Sequence, residues 1–526
     1  MGLVNTIKDW FRKGGAAVGI TKSLNSITDD DRIATNPEEV SRIKLAERYY
    51  RGSYIYRRGM PANVVQYHNT EGLPQQHDYY TINMTQNIAK RLASICLNSG
   101  FNVSLDSKSN PDADLKQVSQ FVDDWLEQSG INRNLESKLE QAIPAGGFAA
   151  RPYIDNGKIK VAWVRADQFY SLDSNTEEVS QAVIASKSVK VIDRKRYYYT
   201  LLEFHQWDNA DYVVTNELYK SDDSEQVGQQ VMLGTDDMYT GVEASVRFAN
   251  FKRPLFVYFK SPGQNNLAPE SPLGVGFVNN TKNILDAINY THDSFVWEVQ
   301  MGRLKVLVPP EMAKPGDEYH TTGRFDQFQD VYQAVAGLST DGSNPVVPLS
   351  PDIRVDEFRQ TMDMFLNELE NSVGLSSGTF TTDAQGGITT ATQVVSENSM
   401  TYQTRSSYLN RISKFLTELI QSVLQLAQVP ELYDNQQPLF SNIDVSDLQI
   451  SVHYDDGVFV DKDKQASQDL LVMNAKAMPV KRFLMRNYGL SETDADEWLS
   501  EIQDEAPESN YDETGQESDL QNAGDD

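Results

Sequence analysis

The chain has 526 residues and a formal net charge of −28, with 39% apolar and 23% charged side chains. This length exceeds what one hydrophobic core usually organises, so it predicts roughly two to four domains. No apolar run approaches the length of a membrane span. The acidic total argues against tight, charge-driven binding to nucleic acid, because such binding needs clustered Lys and Arg. Half of the excess charge comes from residues 491–526, which contain fourteen acidic residues and no Lys or Arg.

Cysteine usage and the N-terminus add two further constraints. Cys96 is the single cysteine, which excludes an internal disulfide and a multi-thiolate zinc site. Its apolar, helical surroundings favour a buried structural thiol over a nucleophile. The N-terminus lacks the apolar core of a signal peptide. Residues 3–11 have helical apolar spacing, which favours docking on a neighbouring subunit or fraying over contact with a lipid surface.

The first 150 residues are predicted to be mainly helical. Asn36, Pro37 and Gly52 are placed to cap, begin and end a helix over 37–51. A second helix is predicted in "NMTQNIAKRLASICLNSG", and residues 113–142 again have a helical pattern. The pattern then changes to alternation around Asn156-Gly157, which is a strong hairpin signal.

From this hairpin to residue 259 the pattern predicts a meandering antiparallel sheet, with residues 221–245 as a loop or short subdomain. Three tyrosines, residues 197–199, follow three basic residues, 194–196. Stacking on nucleic acid would use such a pattern. Successive side chains on a strand point to opposite faces, however, so sheet packing and an intersubunit contact are the favoured interpretation.

Two helices are predicted to bracket a compact α/β insertion in the second half of the chain. A strand begins the insertion after residue 301, and Pro-rich segments lie at both of its ends. Apolar residues recur every three or four positions along 277–300 and again along 355–373, which predicts two helices with matching seams. The residues expected at these seams are Ile284, Ile288, Phe295, Phe358, Met362, Phe365 and Leu369.

The segment "GLSSGTFTTDAQGGITTATQ" follows, with four glycines, many hydroxyl side chains and one charge, Asp383. Neither Gly nor Pro occurs from residue 388 to 429, so a long helix is predicted there. Its first half is rich in Ser and Thr and is expected to bend near 398–407. Its second half, over 408–426, has the pattern of a core helix. Residues 430–503 suggest a strand and short helices, and residues from 504 onward are expected to be disordered.

A search for catalytic or metal-binding patterns assigns no catalytic residue. No phosphate-binding glycine loop occurs, which disfavours an NTPase. The acidic segment 453–463 contains Asp455, Asp456, Asp461 and Asp463, whose oxygens could bind a hard cation. A metal-dependent enzyme that uses this segment is the alternative hypothesis, although an exposed turn is the favoured interpretation. We therefore expect neither enzymatic activity nor a cofactor.

The order of elements resembles that of the portal proteins of tailed bacteriophages, particularly those of long-tailed phages of Gram-positive hosts. Three segments carry the resemblance in the same order along the chain: "AIPAGGFAARPYIDNGKIKVAWVRADQFYSL", "GFVNNTKNILDAINYTHDSFVWEVQMGRLKVLVP" and "GLSSGTFTTDAQGGITTATQVVSENSMTYQT". The likeness extends over nearly the whole chain. It implies an α+β protomer with wing, stem, clip and crown regions.

The resemblance implies the following division of the chain. Residues 1–276 form the wing together with a long kinked helix at 389–429. Residues 277–300 and 355–373 form the stem, and residues 301–354 form the clip. Residues 374–388 form a tunnel loop, residues 430–503 form the crown, and an acidic tail occupies 504–526. In the loop the DNA-facing residues would be Ser376, Ser377, Thr379, Thr381, Thr382, Asp383, Gln385, Gly386 and Gly387.

The resemblance also implies an assembly and its partners. Twelve copies would form a ring at one vertex of the capsid, with the stem seams buried between neighbouring subunits and double-stranded DNA passing through the channel. The expected partners are the terminase large subunit, a head-tail adaptor, and the major capsid and scaffolding proteins, with no membrane. The protein would be assembled in the host cytoplasm and remain in the virion.

Overall fold

The computed structural model describes most of the chain from residue 22 to residue 505. The described part excludes residues 55–62, 69–71, 99, 110–114, 176, 303–304, 309–331, 335–346, 350–351, 382–398, 434–435, 441–442, 455–461, 489 and 491. The chain divides into two compact units between residues 455 and 456. No described helix is long and apolar enough to cross a membrane.

The helices of the first unit agree closely with the sequence patterns. The helix predicted over 355–373 has those bounds, and Asn36 caps the first helix as predicted, because its side chain accepts a bond from Glu38 N. The stretch 113–142 is instead two helices, which meet at Gly130 with a φ of 67°. The helices are α1 (Pro37–Tyr50), α2 (Met84–Leu97), α3 (Lys116–Ser129), α4 (Ile131–Ala145), α5 (Phe277–Met301), α6 (Val355–Val373) and α7 (Ser399–Ala427).

Seventeen strands are present in the described residues, and most pair antiparallel, which confirms the α+β class. One pair is parallel, between the first two strands of the predicted clip. The strands are β1 (Ser23–Leu24), β2 (Val64–His68), β3 (Pro74–Asp78), β4 (Phe101–Ser107), β5 (Gly147–Asp155), β6 (Lys158–Arg165), β7 (Phe169–Ser174), β8 (Val179–Ile192), β9 (Lys195–Asp208), β10 (Asp211–Ser221), β11 (Gly228–Val231), β12 (Ser245–Phe248), β13 (Val257–Lys260), β14 (Lys305–Val308), β15 (Tyr332–Ala334), β16 (Val347–Leu349) and β17 (Leu448–Tyr454).

The largest sheet has the order β1-β11-β10-β9-β8-β7, with β12 added to β10. A second sheet, β13-β5-β6, contains the predicted hairpin, in which Asp155 pairs with Lys158 across a turn. Asn156 and Gly157 both have positive φ, 51° and 72°, as a two-residue hairpin turn requires. The hairpin prediction is therefore confirmed.

Helix α7 is the centre of the main hydrophobic core. Its second half, predicted over 408–426 to be a core helix, carries a buried apolar stripe: Tyr408, Ile412, Phe415, Leu419, Val423 and Leu426. They pack in one cluster with residues of α2, α4 and the β13-β5-β6 sheet. The second half of α7 is therefore packed inside the first unit, whereas Met400 and Tyr402 near its start are exposed.

Strand β17 joins the first unit by pairing antiparallel with β4, and Gln449 lies opposite Asp106. Sequence patterns predicted a strand here but could not give its partner, which is more than 300 residues away in the chain. The second compact unit therefore begins at residue 456, whereas the predicted crown begins at residue 430. This unit contains α8 (Lys462–Asn474), α9 (Val480–Tyr488) and α10 (Glu492–Glu505).

Candidate functional site

Helices α5 and α6 lie antiparallel and are the structural frame of the site. The rings of Phe295 and Phe358 are 5.3 Å apart, and Glu298 contacts Arg354 further along the pair. The ends of the two helices that flank the insertion are therefore adjacent. Three short strands of the insertion, β14 to β16, form one small sheet.

Most of the seven predicted seam residues pack against other residues of the same chain. Ile288 and Leu369 are fully buried, which leaves no surface there for a second subunit and corrects the prediction at these two positions. Ile284, Met362 and Phe365 are partly buried against the same core. For these three and for the Phe295–Phe358 pair, a contact between subunits stays a prediction.

Other apolar side chains on the same helices are exposed. Tyr290 and Val299 on α5 are 69% and 42% exposed, and Met364 and Val355 on α6 are 58% and 53% exposed. None of these four is among the seven predicted seam residues, and Tyr290 and Met364 lie off the three-and-four spacing of the seam. These four side chains give the helix pair exposed apolar surface that a neighbouring copy could cover.

An ion pair joins the two helix ends beside the insertion. The Arg354 backbone N–H donates to Glu298 Oε1 over 2.9 Å, and the Arg354 guanidinium donates to both carboxylate oxygens. These hydrogen bonds lower the pKa of Glu298. Gly302, which ends α5, lies against Ile353. The connection holds the start of α6 against the end of α5.

The predicted tunnel loop begins where α6 ends. Gly374 has a φ of 75°, and Leu375 N donates to the Glu370 carbonyl oxygen over 2.8 Å, which is the usual glycine-terminated end of a helix. A Cβ atom at Gly374 would lie 2.3 Å from Thr404 Oγ1. Glycine is therefore required both by the backbone conformation and by the approach of α7.

The Glu370 carboxylate organises the first part of the loop. This side chain is fully buried. Its Oε1 accepts hydrogen bonds from Phe380 N and Thr381 N over 2.5 and 3.3 Å, and its Oε2 accepts one from Gly378 N over 3.1 Å. A buried carboxylate is stable only when its oxygens are satisfied. The three amides satisfy them, and they fold residues 375–381 back onto the end of α6.

A second connection ties the loop to the start of α7. Ser376 N donates to Thr401 Oγ1 over 2.9 Å, and Thr401 N donates to Ser376 Oγ over 3.3 Å. Thr379 Oγ1 donates to the Ser376 carbonyl oxygen over 2.6 Å. The described first part of the loop is therefore joined to the start of α7 by side chains that hydrogen-bond directly to backbone amides.

The structure separates the nine predicted DNA-facing residues into groups. Ser376 and Thr381 are buried, so they serve packing within this chain, and the prediction is corrected for them. Ser377 is exposed and Thr379 is partly exposed. The other five lie outside the described residues: Thr382, Asp383, Gln385, Gly386 and Gly387. The buried Glu370 was missed because an acidic residue on a helix gives no sequence signal of burial.

One buried group of side chains has the atoms of a proton relay. His205 Nε2 lies 2.6 Å from Glu203 Oε1, and His205 Nδ1 lies 2.6 Å from the Tyr212 hydroxyl. Arg151 Nε is 3.0 Å from the same Glu203 oxygen, and charge and hydrogen bonds keep the pKa of Glu203 low despite burial. His205 and Tyr212 are at most 1% exposed. No substrate can reach them, so the group is structural.

The remaining chemical predictions are answered in part. Cys96 is buried, as predicted, and burial raises the pKa of its thiol to about 12, which keeps it unreactive. The described residues contain no group of three side chains placed to hold a metal ion. Asp455, Asp456 and Asp461 of the acidic segment lie outside the described residues.

Comparison with known families identifies the class. The family model described as "Phage portal protein, SPP1 Gp6-like" matches residues 29–508. This range includes the helix pair, the insertion, the loop and α7, and it defines the protein as a phage portal protein. Within this class, the chain belongs to the SPP1 Gp6-like family. The family assignment agrees with the resemblance in the sequence.

The chain was also compared with curated protein sequences and with solved structures. No curated protein sequence matches the chain. Among solved structures, the chain is similar to one described as the neck of an empty GTA particle computed with C6 symmetry. The two share 11% sequence identity with a TM-score of 0.36, and the match covers 77% of this chain and 88% of the other.

Proposed function

We propose that this protein forms a closed ring of twelve copies at one vertex of a phage capsid and that its channel conducts double-stranded DNA. The observation that carries the proposal is the family match over residues 29–508, which includes an antiparallel helix pair and a loop held at its base. In a ring, each subunit presents one surface to the next copy and a different surface to the previous one. The exposed apolar side chains of α5 and α6 supply such surfaces.

The loop is proposed to contact passing DNA loosely. Residues 374–388 contain one acidic and no basic side chain, so they cannot form the phosphate ion pairs that hold DNA tightly. The three backbone hydrogen bonds to the Glu370 carboxylate, here called the clasp, hold the base of this loop against α6. The Ser376–Thr401 hydrogen bonds hold it against α7. Ser377 and residues 382–388 are the part proposed to face the channel.

The other regions are assigned by the same proposal. The clip around β14 to β16 would meet the terminase large subunit during packaging and a head-tail adaptor afterwards. The wing would contact the major capsid and scaffolding proteins, and the crown would lie inside the head. DNA would leave through the same channel at ejection. The alternative of a metal-dependent enzyme at 453–463 has no support.

The mass of the purified protein tests the proposal. We expect native mass spectrometry to give one large species close to twelve times the 59.2 kDa chain, and negative-stain images to show rings with a central hole. A particle that stays monomeric at all protein and salt concentrations would overturn the proposal. A deletion within 382–388 is expected to leave the ring intact and to reduce DNA packaging.

A further inference from the structure

The hairpin formed by β8 and β9 extends beyond the sheet that contains it. Strand β7 pairs with β8 only as far as Ile184, and β10 pairs with β9 only as far as Tyr198. Residues 188–196, here called the hairpin tip, therefore have strand partners only within the β8–β9 hairpin among the described residues. Asp193 and Arg194 have φ of 51° and 65°, as a tight two-residue hairpin turn between Ile192 and Lys195 requires.

One face of the hairpin tip is covered by the same chain. Ser188 Oγ lies 3.0 Å from the Tyr239 hydroxyl, and Lys190 Nζ lies 3.4 Å from Asp236 Oδ1. Tyr199, at the base of this face, is buried. The turn at residues 236–239 therefore packs on this side and fixes the direction in which the tip projects.

The opposite face is uncovered, and it combines apolar and cationic side chains. Val189 and Val191 are 58% and 63% exposed. They lie opposite Tyr198 and Arg196 in the strand register, so these four side chains share a face. Arg194 and Arg196 are exposed and make no ion pair within the described part of the chain.

We propose that the hairpin tip docks by this face on an acidic surface of a second copy of the chain. The proposal rests on the ring described above, which supplies a neighbouring copy. Of the five basic side chains in residues 187–196, Lys190 and Lys195 pair with Asp236 and Asp222. Arg194 and Arg196 remain as exposed cations on a chain whose net charge is −28. Another copy therefore offers the complementary charge, and the two valines supply apolar area that the contact would remove from water.

The mode of docking is side-chain contact rather than strand addition. The outer edge of β8 beyond Ile184 lacks a partner strand in the described residues. Lys187 and Lys190 occur along this edge, and lysine on an edge strand is a common protection against pairing with another strand. Strand addition at this edge is therefore disfavoured, whereas the face that carries Val189 and Val191 is open to contact by side chains of another copy.

A photo-cross-linking experiment tests this contact in the assembled ring. Cys96 is buried and its thiol has a raised pKa, so V191C supplies the one reactive thiol for a benzophenone maleimide. We expect irradiation to give cross-linked dimers, with the captured peptide in an acid-rich segment of a different copy. L267C, which places the label at another exposed apolar position, is the control. Capture within the same chain, capture of added duplex DNA, or no capture would overturn the proposal.

A salt titration provides an independent measurement. We expect R194E/R196E rings to dissociate at a salt concentration at least twofold lower than wild-type rings, because like charges then face each other. R133E/K158E makes the same change in charge at two exposed positions outside the tip and should behave like wild type. Equal dissociation of all three would overturn the docking proposal, whereas failure of wild type to form a ring would overturn the proposed function.

Discussion

The Glu370 carboxylate shows how a single buried charge can position a loop. It accepts three backbone hydrogen bonds from residues 378–381, and no cation lies between it and the loop among the described contacts. The described hydrogen bonds to this buried carboxylate therefore come from the local backbone. Removing one oxygen acceptor should loosen the loop base without altering the helix that carries it.

The first prediction replaces this carboxylate with an amide. We expect E370Q to lower the free energy of unfolding by about 2 kcal/mol, because the new NH₂ group faces a backbone N–H that loses its acceptor. Chemical denaturation measures this change, and limited proteolysis should show faster cleavage within 374–398. E368Q, at an exposed position two residues earlier, is the control. Equal stability of the two variants would show that the three hydrogen bonds to the Glu370 carboxylate do not stabilise the fold.

Glu47 gives a pH-dependent prediction. Its carboxyl group lies near Arg165 and Arg51. Burial first, and then the Asp167 charge, raise its pKa from 4.5 to about 7. The folded state therefore binds this proton more tightly than the unfolded state. Stability from this group is present below about pH 4.5 and is lost as the pH rises to about 7.

The variant E47Q should remove this loss, since a glutamine stays neutral. At pH 5 the unfolding free energies of wild type and E47Q should be similar, and at pH 8 the variant should be more stable by at most about 3 kcal/mol. Urea denaturation at several pH values measures the difference. E127Q, at an exposed site, should show no such trend. If the difference in unfolding free energy between wild type and E47Q stays constant over this pH range, the pKa of Glu47 is not raised in the folded state.

At the scale of elements, the crossing between α4 and α5 depends on glycine. The segment "GVGFVN", residues 274–279, lacks the third glycine of a phosphate-binding loop. Its glycines instead allow two backbones to touch: a Cβ at Gly276 would lie 1.7 Å from the Pro144 carbonyl oxygen, and one at Gly274 would lie 2.0 Å from that of Gly146. Gly276 also precedes the first residue of α5. The position of α5 thus depends on this contact.

The variant G276A should therefore be strongly destabilised. The added methyl group must displace backbone rather than a flexible side chain, and we expect a loss of about 3 kcal/mol in unfolding free energy or failure to fold. Differential scanning fluorimetry and the yield of soluble ring measure this effect. G234A is the matched control, because a Cβ there meets nothing within 4 Å. A normal melting temperature for G276A would show that the crossing can relax.

Local patterns predicted elements well and predicted contacts poorly. The bounds of α6, the buried face of α7 and the turn at Asn156-Gly157 followed from periodicity and turn chemistry, which act over a few residues. The pairing of β17 with β4 and the parallel pair β14–β15 involve long chain separations that no local pattern encodes. The seam at Ile288 and Leu369 was recognised as apolar, but periodicity could not distinguish packing within one chain from packing between subunits.

At the scale of the whole molecule, charge is the property that bears most directly on the proposed channel. The chain carries an excess of 28 negative charges, and its predicted loop adds no cation. A polyanion that passes through such a ring meets weak, repulsive surroundings and few sites where phosphates could bind. Because residues 374–388 contain no cation, loose contact with DNA is expected where these residues face the proposed channel.

The last prediction reverses the one charge in that loop. D383K should leave the mass of the ring unchanged and should give it a measurable, salt-sensitive affinity for duplex DNA, because each lysine can release counterions from a phosphate. Fluorescence anisotropy at about 50 and 200 mM salt would show binding that weakens steeply with salt, where the wild type shows little. In a packaging reaction the same ring should translocate DNA more slowly. D106K, which reverses an exposed charge on β4, controls for net charge. If both variants bind DNA equally, the effect belongs to total charge and residue 383 does not face the duplex.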